Sequence, residues 1–204
     1  MVFRGEIMIV TNTMYKNKLD KYSNKQNKIS RDIRNKKIFK IINGLYETDQ
    51  NTPGYLLAGA IYGPSYISFE YALSYYGMIP ERVEVITCAT NSKKKKKEYR
   101  TDFGTFTYRD VPKLAYPIGT NLYEEPNYSY QMATKEKALC DKLYTLKPLK
   151  NINNLKNMLY NDLRIDEEKI EELDINLIEQ LVPLYHSTNI KLLLKYLKEV
   201  NHHE

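Results

Sequence analysis

Residues 63–90 read GPSYISFEYALSYYGMIPERVEVITCAT, and the change of rhythm inside this stretch sets the fold class. Ser65 or Ser68 can cap a helix, because a serine hydroxyl accepts a hydrogen bond from an orphan backbone N–H. Phe69, Ala72, Leu73 and Tyr76 then recur at helical spacing on one face. Gly77 stands where a left-handed C-cap is wanted and Pro80 follows, so the helix is predicted to stop there. From Val83 the period becomes two. VEVITCAT (83–90) alternates and is rich in β-branched residues, which predicts a strand. Residues 63–77 also hold four tyrosines, three serines and a glutamate, all groups that can do chemistry. The serines lack a G-x-S-x-G elbow and a histidine base, and Glu70 lacks a partner. The stretch therefore reads as a scaffold helix in which Tyr66, Tyr71, Tyr75 and Tyr76 supply buried area with a polar tip.

Strands continue downstream. KKEYRT (96–101) and GTFTYRDV (104–111) are turned at Asp102-Phe103-Gly104, and AYPIGTNLY (115–123) and YSYQMAT (128–134) form another pair. TKEKALCDKLYTL (134–146) returns to helix with Thr134 as N-cap, and Ala138, Leu139, Lys142 and Leu143 form its stripe, the Lys142 stem lying along it. NINNLKNMLYNDL (151–163), DEEKIEELDINLIEQLVPLY (166–185) and TNIKLLLKYLKEV (188–200) are amphipathic helices. Mostly antiparallel strands between helices predict an α+β fold.

Upstream, YKNKLDKYSNKQNKISRDIRNKK (15–37) reads as one helical stretch or two short helices, with Leu19, Tyr22, Ile29 and Ile33 as its apolar stripe. IFKIINGLYET (38–48) follows, and its Asn43-Gly44 is a hairpin signal for a type I′ turn. Helix followed by a tight basic hairpin is the outline of a winged helix, which places the helix in a major groove and the hairpin on the backbone or minor groove. The connector DQNTPG (49–54) gives three segments: 1–52 as a shortened winged-helix-like unit, 53–150 as an α+β domain and 151–204 as a helical region packed on it.

The chain has 204 residues, 42% hydrophobic and 27% charged, a composition that excludes wholesale disorder. Net charge is +6 and unevenly placed: residues 1–52 hold 11 Lys/Arg against 5 Asp/Glu, and residues 151–204 hold 6 against 10. A basic head points to a polyanion partner. No stretch reaches the roughly 18 apolar residues of a membrane span, and the polar residues in MVFRGEIMIVTNTM interrupt any signal-peptide core, so a cytoplasmic protein is expected. Cys88 and Cys140 have no CxxC spacing, and His186 has no partner at ligand spacing, so neither a zinc site nor another metal is predicted. His202 and His203 lie at the end of the chain, where disorder is usual. There is no P-loop and no G-x-G-x-x-G, and no cofactor is implied. Glu124-Glu125 should point apart as strand neighbours. Asp162, Glu167 and Lys169 loosely match a nuclease-like carboxylate–lysine pattern but lie in an acidic helical stretch. The run Lys93, Lys94, Lys95, Lys96, Lys97 is either a solubilising hairpin tip guarding an edge strand or a phosphate-contacting loop.

S-Y-I-S…A-L-S-Y-Y-G (65–77), G-x-F-x-Y (104–108) and E-K-A-L-x-D (136–141), in this order, resemble the AbiEi antitoxin family of bacterial type IV toxin–antitoxin systems, which act in abortive infection and phage defence. The resemblance covers about residues 36–146 and includes the G-L-Y ending of the wing, here Gly44, Leu45 and Tyr46. It implies an N-terminal winged helix that binds operator DNA and represses its own operon. It also implies an α+β domain needed for antitoxicity, and a nucleotidyltransferase toxin as functional partner without a stable complex. Two departures stand out. The part ahead of the wing is short, so one helix is missing or degenerate, and the usual proline before E-K-A-L is Lys135, which a first helical turn tolerates.

The leading expectation is a non-enzymatic, DNA-binding antitoxin and transcriptional regulator. Lys25, Lys28, Arg31, Arg34, Lys36, Lys37, Lys40 and Asn43 would be its DNA contacts. Repressors of this outline often pair on inverted repeats, so a homodimer is a further expectation. The alternatives are an antitoxin-like interaction module without DNA binding and a divergent nucleic-acid-processing enzyme built on Asp162 and Glu167.

Overall fold

The structure, a computed structural model, describes residues 8–201. The segment judged too polar for a signal peptide lies partly outside them (1–7), and His202 and His203 lie wholly outside. Strand β1 (Ile9–Thr11) leads into helix α1 (Asn12–Asn17), capped by the Thr11 side chain accepting from Met14 N. Helix α2 (Lys25–Arg34) is capped by Asn24, whose side chain accepts from Asn27 N at 2.9 Å. Strands β2 (Phe39–Ile42) and β3 (Leu45–Glu47) follow as a hairpin, and β1 adds to β3 to give an antiparallel sheet in the order β1-β3-β2. The expected helical stretch is thus two helices, and Tyr22, in the link between them, is 47% exposed rather than part of an apolar stripe. The hairpin turns at Asn43–Gly44, but only Gly44 takes a positive φ, +82°, and the register shifts between Lys40 and Ile42. A type I′ turn needs positive φ at both residues, so the turn is of another kind.

A single 3-10 turn (Gly54–Leu57) runs into α3 (Ala58–Ile61). Then comes β4, only Tyr66–Ile67, and α4 (Phe69–Tyr75). Strands β5 (Ile86–Thr90), β6 (Lys97–Thr101), β7 (Gly104–Asp110), β8 (Thr120–Glu125) and β9 (Tyr128–Ala133) complete the second sheet, ordered β6-β7-β5-β4-β9-β8. Three pairings are antiparallel, but β5–β7 and β4–β9 are parallel. The α+β class holds and most pairings are antiparallel, but the second sheet is mixed. Two-residue β4 makes the difference, because it joins the two halves of the sheet from inside a stretch that reads as the start of a helix.

Helix α5 (Lys135–Tyr144) is capped by Thr134 and packs against α4, α8 and α9. Glu136 through Asp141 are all buried, a helix enclosed on every side rather than amphipathic. The remaining helices are α6 (Ile152–Asn157), which runs into a π-helical turn (Met158–Asp162), α7 (Glu167–Glu171), α8 (Ile175–Tyr185) and α9 (Thr188–Asn201). Residues 166–185, expected as one helix, divide before Asp174, whose side chain caps α8.

Two cores result. Val10, Tyr15, Leu19, Ile29, Ile38 and Tyr46 form a small one inside the N-terminal unit. Ile41 and Leu45 of the hairpin belong to the larger core, and β2 lies against β6. Buried Glu47 accepts from Tyr128 Oη at 2.8 Å, tying the hairpin to the second sheet.

Candidate functional site

The first candidate is the outer surface of α2. Ile29 and Asp32 turn inward. Asp32, 2% exposed, accepts from Tyr15 Oη at 2.9 Å and from Lys28 Nζ, so one carboxylate holds α1 and α2 together. Burial, aided by Asp32, raises the Tyr15 hydroxyl well above its ordinary range. The opposite face carries Gln26, Asn27, Ser30, Arg31 and Arg34, all exposed and spaced for a single helical surface. Exposed Lys36, Lys37, Lys40 and Asn43 continue from the helix end to the hairpin turn.

The eight residues expected to contact DNA do not share one fate. Arg31, Arg34, Lys36, Lys37, Lys40 and Asn43 are exposed as expected. Lys25 pairs with Asp20 at 2.6 Å on the surface. Lys28 departs from the expectation: its side chain is 14% exposed, paired with Asp32 and 5.2 Å above the Tyr22 ring. It belongs to the small core's polar seal. A search by charge also passes over Gln26, Asn27 and Ser30, whose only sequence signal is their helical spacing with Arg31 and Arg34.

The lysine run occupies the connection into β6, one edge of the second sheet. Lys93 Nζ donates to the Gly63 carbonyl at 3.0 Å and lies over Tyr62. Lys94 N donates to Asp110 Oδ2 at 2.6 Å, while Asp110 Oδ1 accepts from Thr90. Lys94, Lys95, Lys96 and Lys97 are exposed, with Lys97 opening the edge strand. That placement fits an edge guard, since lysine on an open edge discourages further pairing, and it leaves four ammonium groups accessible to phosphate.

The second candidate lies under the motifs. Asp141 accepts from Tyr66 Oη at 3.0 Å, from Ser68 Oγ at 2.6 Å and from Tyr185 Oη. Lys137 Nζ is 3.3 Å from Asp141 and donates to the Ala115 carbonyl at 2.7 Å and to Tyr185 Oη. Lys137 and Asp141 are both wholly buried. Burial lowers the Lys137 ammonium, against the pull of Asp141, and raises the Tyr66 and Tyr185 hydroxyls, which Asp141 raises further. The S-Y-I-S and E-K-A-L-x-D motifs are therefore two halves of one buried polar cluster. Tyr108, from G-x-F-x-Y, donates to the Ala58 carbonyl at 2.8 Å, and Glu136 accepts from Asp174 N at 3.1 Å.

Ser68 occupies the N-cap position of α4, but its hydroxyl is engaged with Asp141 and makes no cap bond. The next residue, Phe69, sits at φ +55°, a strained conformation for a bulky side chain. Its buried ring lies under the Arg109 guanidinium, 4.0 Å away. Arg109 and Lys142 both bind Glu70, which the sequence leaves without a partner. Burial alone would raise Glu70, but the two cations outweigh it and hold its carboxyl down at about 2. Tyr66 is buried as expected, whereas Tyr75 is 56% exposed.

Asp162 ends the π-helical turn, Glu167 begins α7, and Lys169 pairs with Glu172. Among the described residues no three His, Cys, Asp or Glu side chains converge to hold a metal ion, and no helix is long and apolar enough to cross a membrane. No protein-family model matches the chain, and no curated protein matches it.

Proposed function

We propose that this protein is the antitoxin of a type IV toxin–antitoxin system and represses its own operon by binding operator DNA through α2. The observation that carries the DNA-binding half is the outer face of α2. Gln26, Asn27, Ser30, Arg31 and Arg34 stand together on it, beside a hairpin bearing Lys40 and Asn43. Arginine, asparagine and glutamine are the side chains that pair bidentately with base edges in a major groove, and lysines around them suit phosphates. The element order β1-α1-α2-β2-β3 with strand order β1-β3-β2 supports the same reading, being that of a winged helix without its leading helix. The antitoxin half rests on the AbiEi-like motifs. Its toxin is a nucleotidyltransferase met in the cytoplasm, without a stable complex.

A gel shift on the DNA upstream of the gene tests the first half. Binding should weaken steeply with salt, because each neutralised phosphate releases counterions. Arg31→Ala with Arg34→Ala should lower affinity about tenfold or more and flatten the salt slope. Lys28→Ala should leave the slope unchanged while lowering stability. No shift at low salt with intact protein would remove the DNA-binding reading and leave an interaction module. Growth rescue on co-expression with the neighbouring nucleotidyltransferase tests the second half. Surface substitutions are the right tool for separating the two, since Ile41 and Leu45 of the hairpin are part of the larger core.

A further inference from the structure

Helix α2 engages some of its polar side chains within the fold and leaves others over. Asn24 caps the helix, Lys25 pairs with Asp20 and Lys28 with Asp32. Gln26, Asn27, Ser30, Arg31 and Arg34 are exposed, and among the described residues their side chains have no hydrogen-bond or ion-pair partner. Between Asn24 and Asn43 the only carboxylate is Asp32, and it is buried. A helix face that is merely solvated mixes its charges in i, i+4 pairs. This face sets Arg31 and Arg34 a turn apart with nothing to neutralise them, which suits a polyanion.

The five are not equivalent. Asn27, Ser30, Arg31 and Arg34 follow the i, i+3, i+4, i+7 spacing of one stripe, and Gln26 lies about a quarter turn to its side. Asn27 is in the first turn of α2 and Arg31 is one turn on, toward the end of a recognition helix whose residues meet base edges. Arg34 is in the last turn, next to exposed Lys36 and Lys37. Ser30, the smallest of the four, lies between them, and a hydroxyl discriminates little among bases.

We infer that α2 reads sequence through two residues, Asn27 pairing with an adenine and Arg31 with a guanine about two base pairs further along the major groove. The spacing follows from the helix. Four residues rise about 6 Å, against about 3.4 Å for each base pair. The chemistry follows from the side chains. Asn27 Oδ1 accepts from adenine N6 while Nδ2 donates to N7, and the Arg31 guanidinium donates to guanine O6 and N7 together. Arg34 and the lysines beyond it hold phosphates, which fix position without reading sequence. The operator class is therefore a duplex with an A·T pair and a G·C pair at that separation. This inference rests on the DNA-binding proposal and deepens it.

The test selects bound duplexes from a randomised library with the full chain and three variants, each checked for an unchanged circular dichroism spectrum. The wild type should enrich a core holding the two pairs at the stated spacing. Asn27→Ala should lose preference at the A·T position alone, by about tenfold or more, and Arg31→Ala at the G·C position alone by a similar factor. Arg31→Lys should keep part of the guanine preference, because lysine also donates to O6 and N7. Arg34→Ala should weaken all sequences alike and leave the enriched core unchanged. Duplex bound with no enriched core, or a core that both alanine variants leave unchanged, overturns the inference while DNA binding stands. Failure to retain any duplex at low salt removes both.

Discussion

The N-terminal unit and the body around α5 each bury one carboxylate against a lysine four residues away, and they do so under different conditions. In the head, Asp32 holds Lys28 and Tyr15 with the Lys28 side chain still 14% exposed, so that cation can turn to water. In the body, Asp141 gathers three hydroxyls and Lys137, and neither charged group has any contact with solvent. The same residue pair is a surface seal in one place and a sealed-in cluster in the other. What separates them is the fate of the cation when its partner is removed.

The largest expected effect tests this directly. Asp141→Ala strands a buried ammonium and three hydroxyl donors and should cost about 3–5 kcal/mol of stability. Lys137→Met leaves a carboxylate still satisfied by three hydroxyls and should cost less, about 1–3 kcal/mol. Urea denaturation of both variants measures the difference, and a Lys137→Met cost equal to that of Asp141→Ala would break the comparison. In the head, Asp32→Ala should cost about 1–2 kcal/mol, because Lys28 rehydrates. Amide exchange locates that loss: protection should fall in α2 and stay unchanged in α5.

The smallest effect is a pH dependence on the partly exposed rim of the body. Glu70 titrates at about 2 in the folded protein against an ordinary 4.5, through Arg109 and Lys142. Its stabilisation is therefore complete above pH 4.5 and disappears as pH falls toward 2. The difference in urea midpoint between the wild type and Glu70→Gln should stay constant above that range and shrink below it. A difference that persists unchanged at pH 2 would contradict the assignment.

Local signals in the sequence carry far into this structure. Thr134 caps α5, Gly77 stops α4 with φ +65°, Asn43–Gly44 turns the hairpin, and the alternation in residues 83–90 becomes a strand that begins at Ile86. Each depends on neighbours a few residues away, where spacing and side-chain type act directly on the backbone. The exposed face of α2 was half legible for the same reason. Its charges are conspicuous, while Gln26, Asn27 and Ser30 acquire meaning only once the helix has a buried side. Lys28 misleads, because a lysine looks the same in sequence whether it faces water or a buried carboxylate.

By itself the sequence determined the α+β class, the basic head, most element types and three spaced motifs. Tertiary structure alone decided that Tyr66–Ile67 are the strand joining the two halves of the second sheet, that Ser68 bonds Asp141 instead of capping α4, and that Glu70 lies between Arg109 and Lys142. The reason is the distance along the chain. Ser68 and Asp141 are 73 residues apart, and no local preference reports a partner that far away. Burial brings them together, because a polar group removed from water must find its hydrogen bonds within the fold.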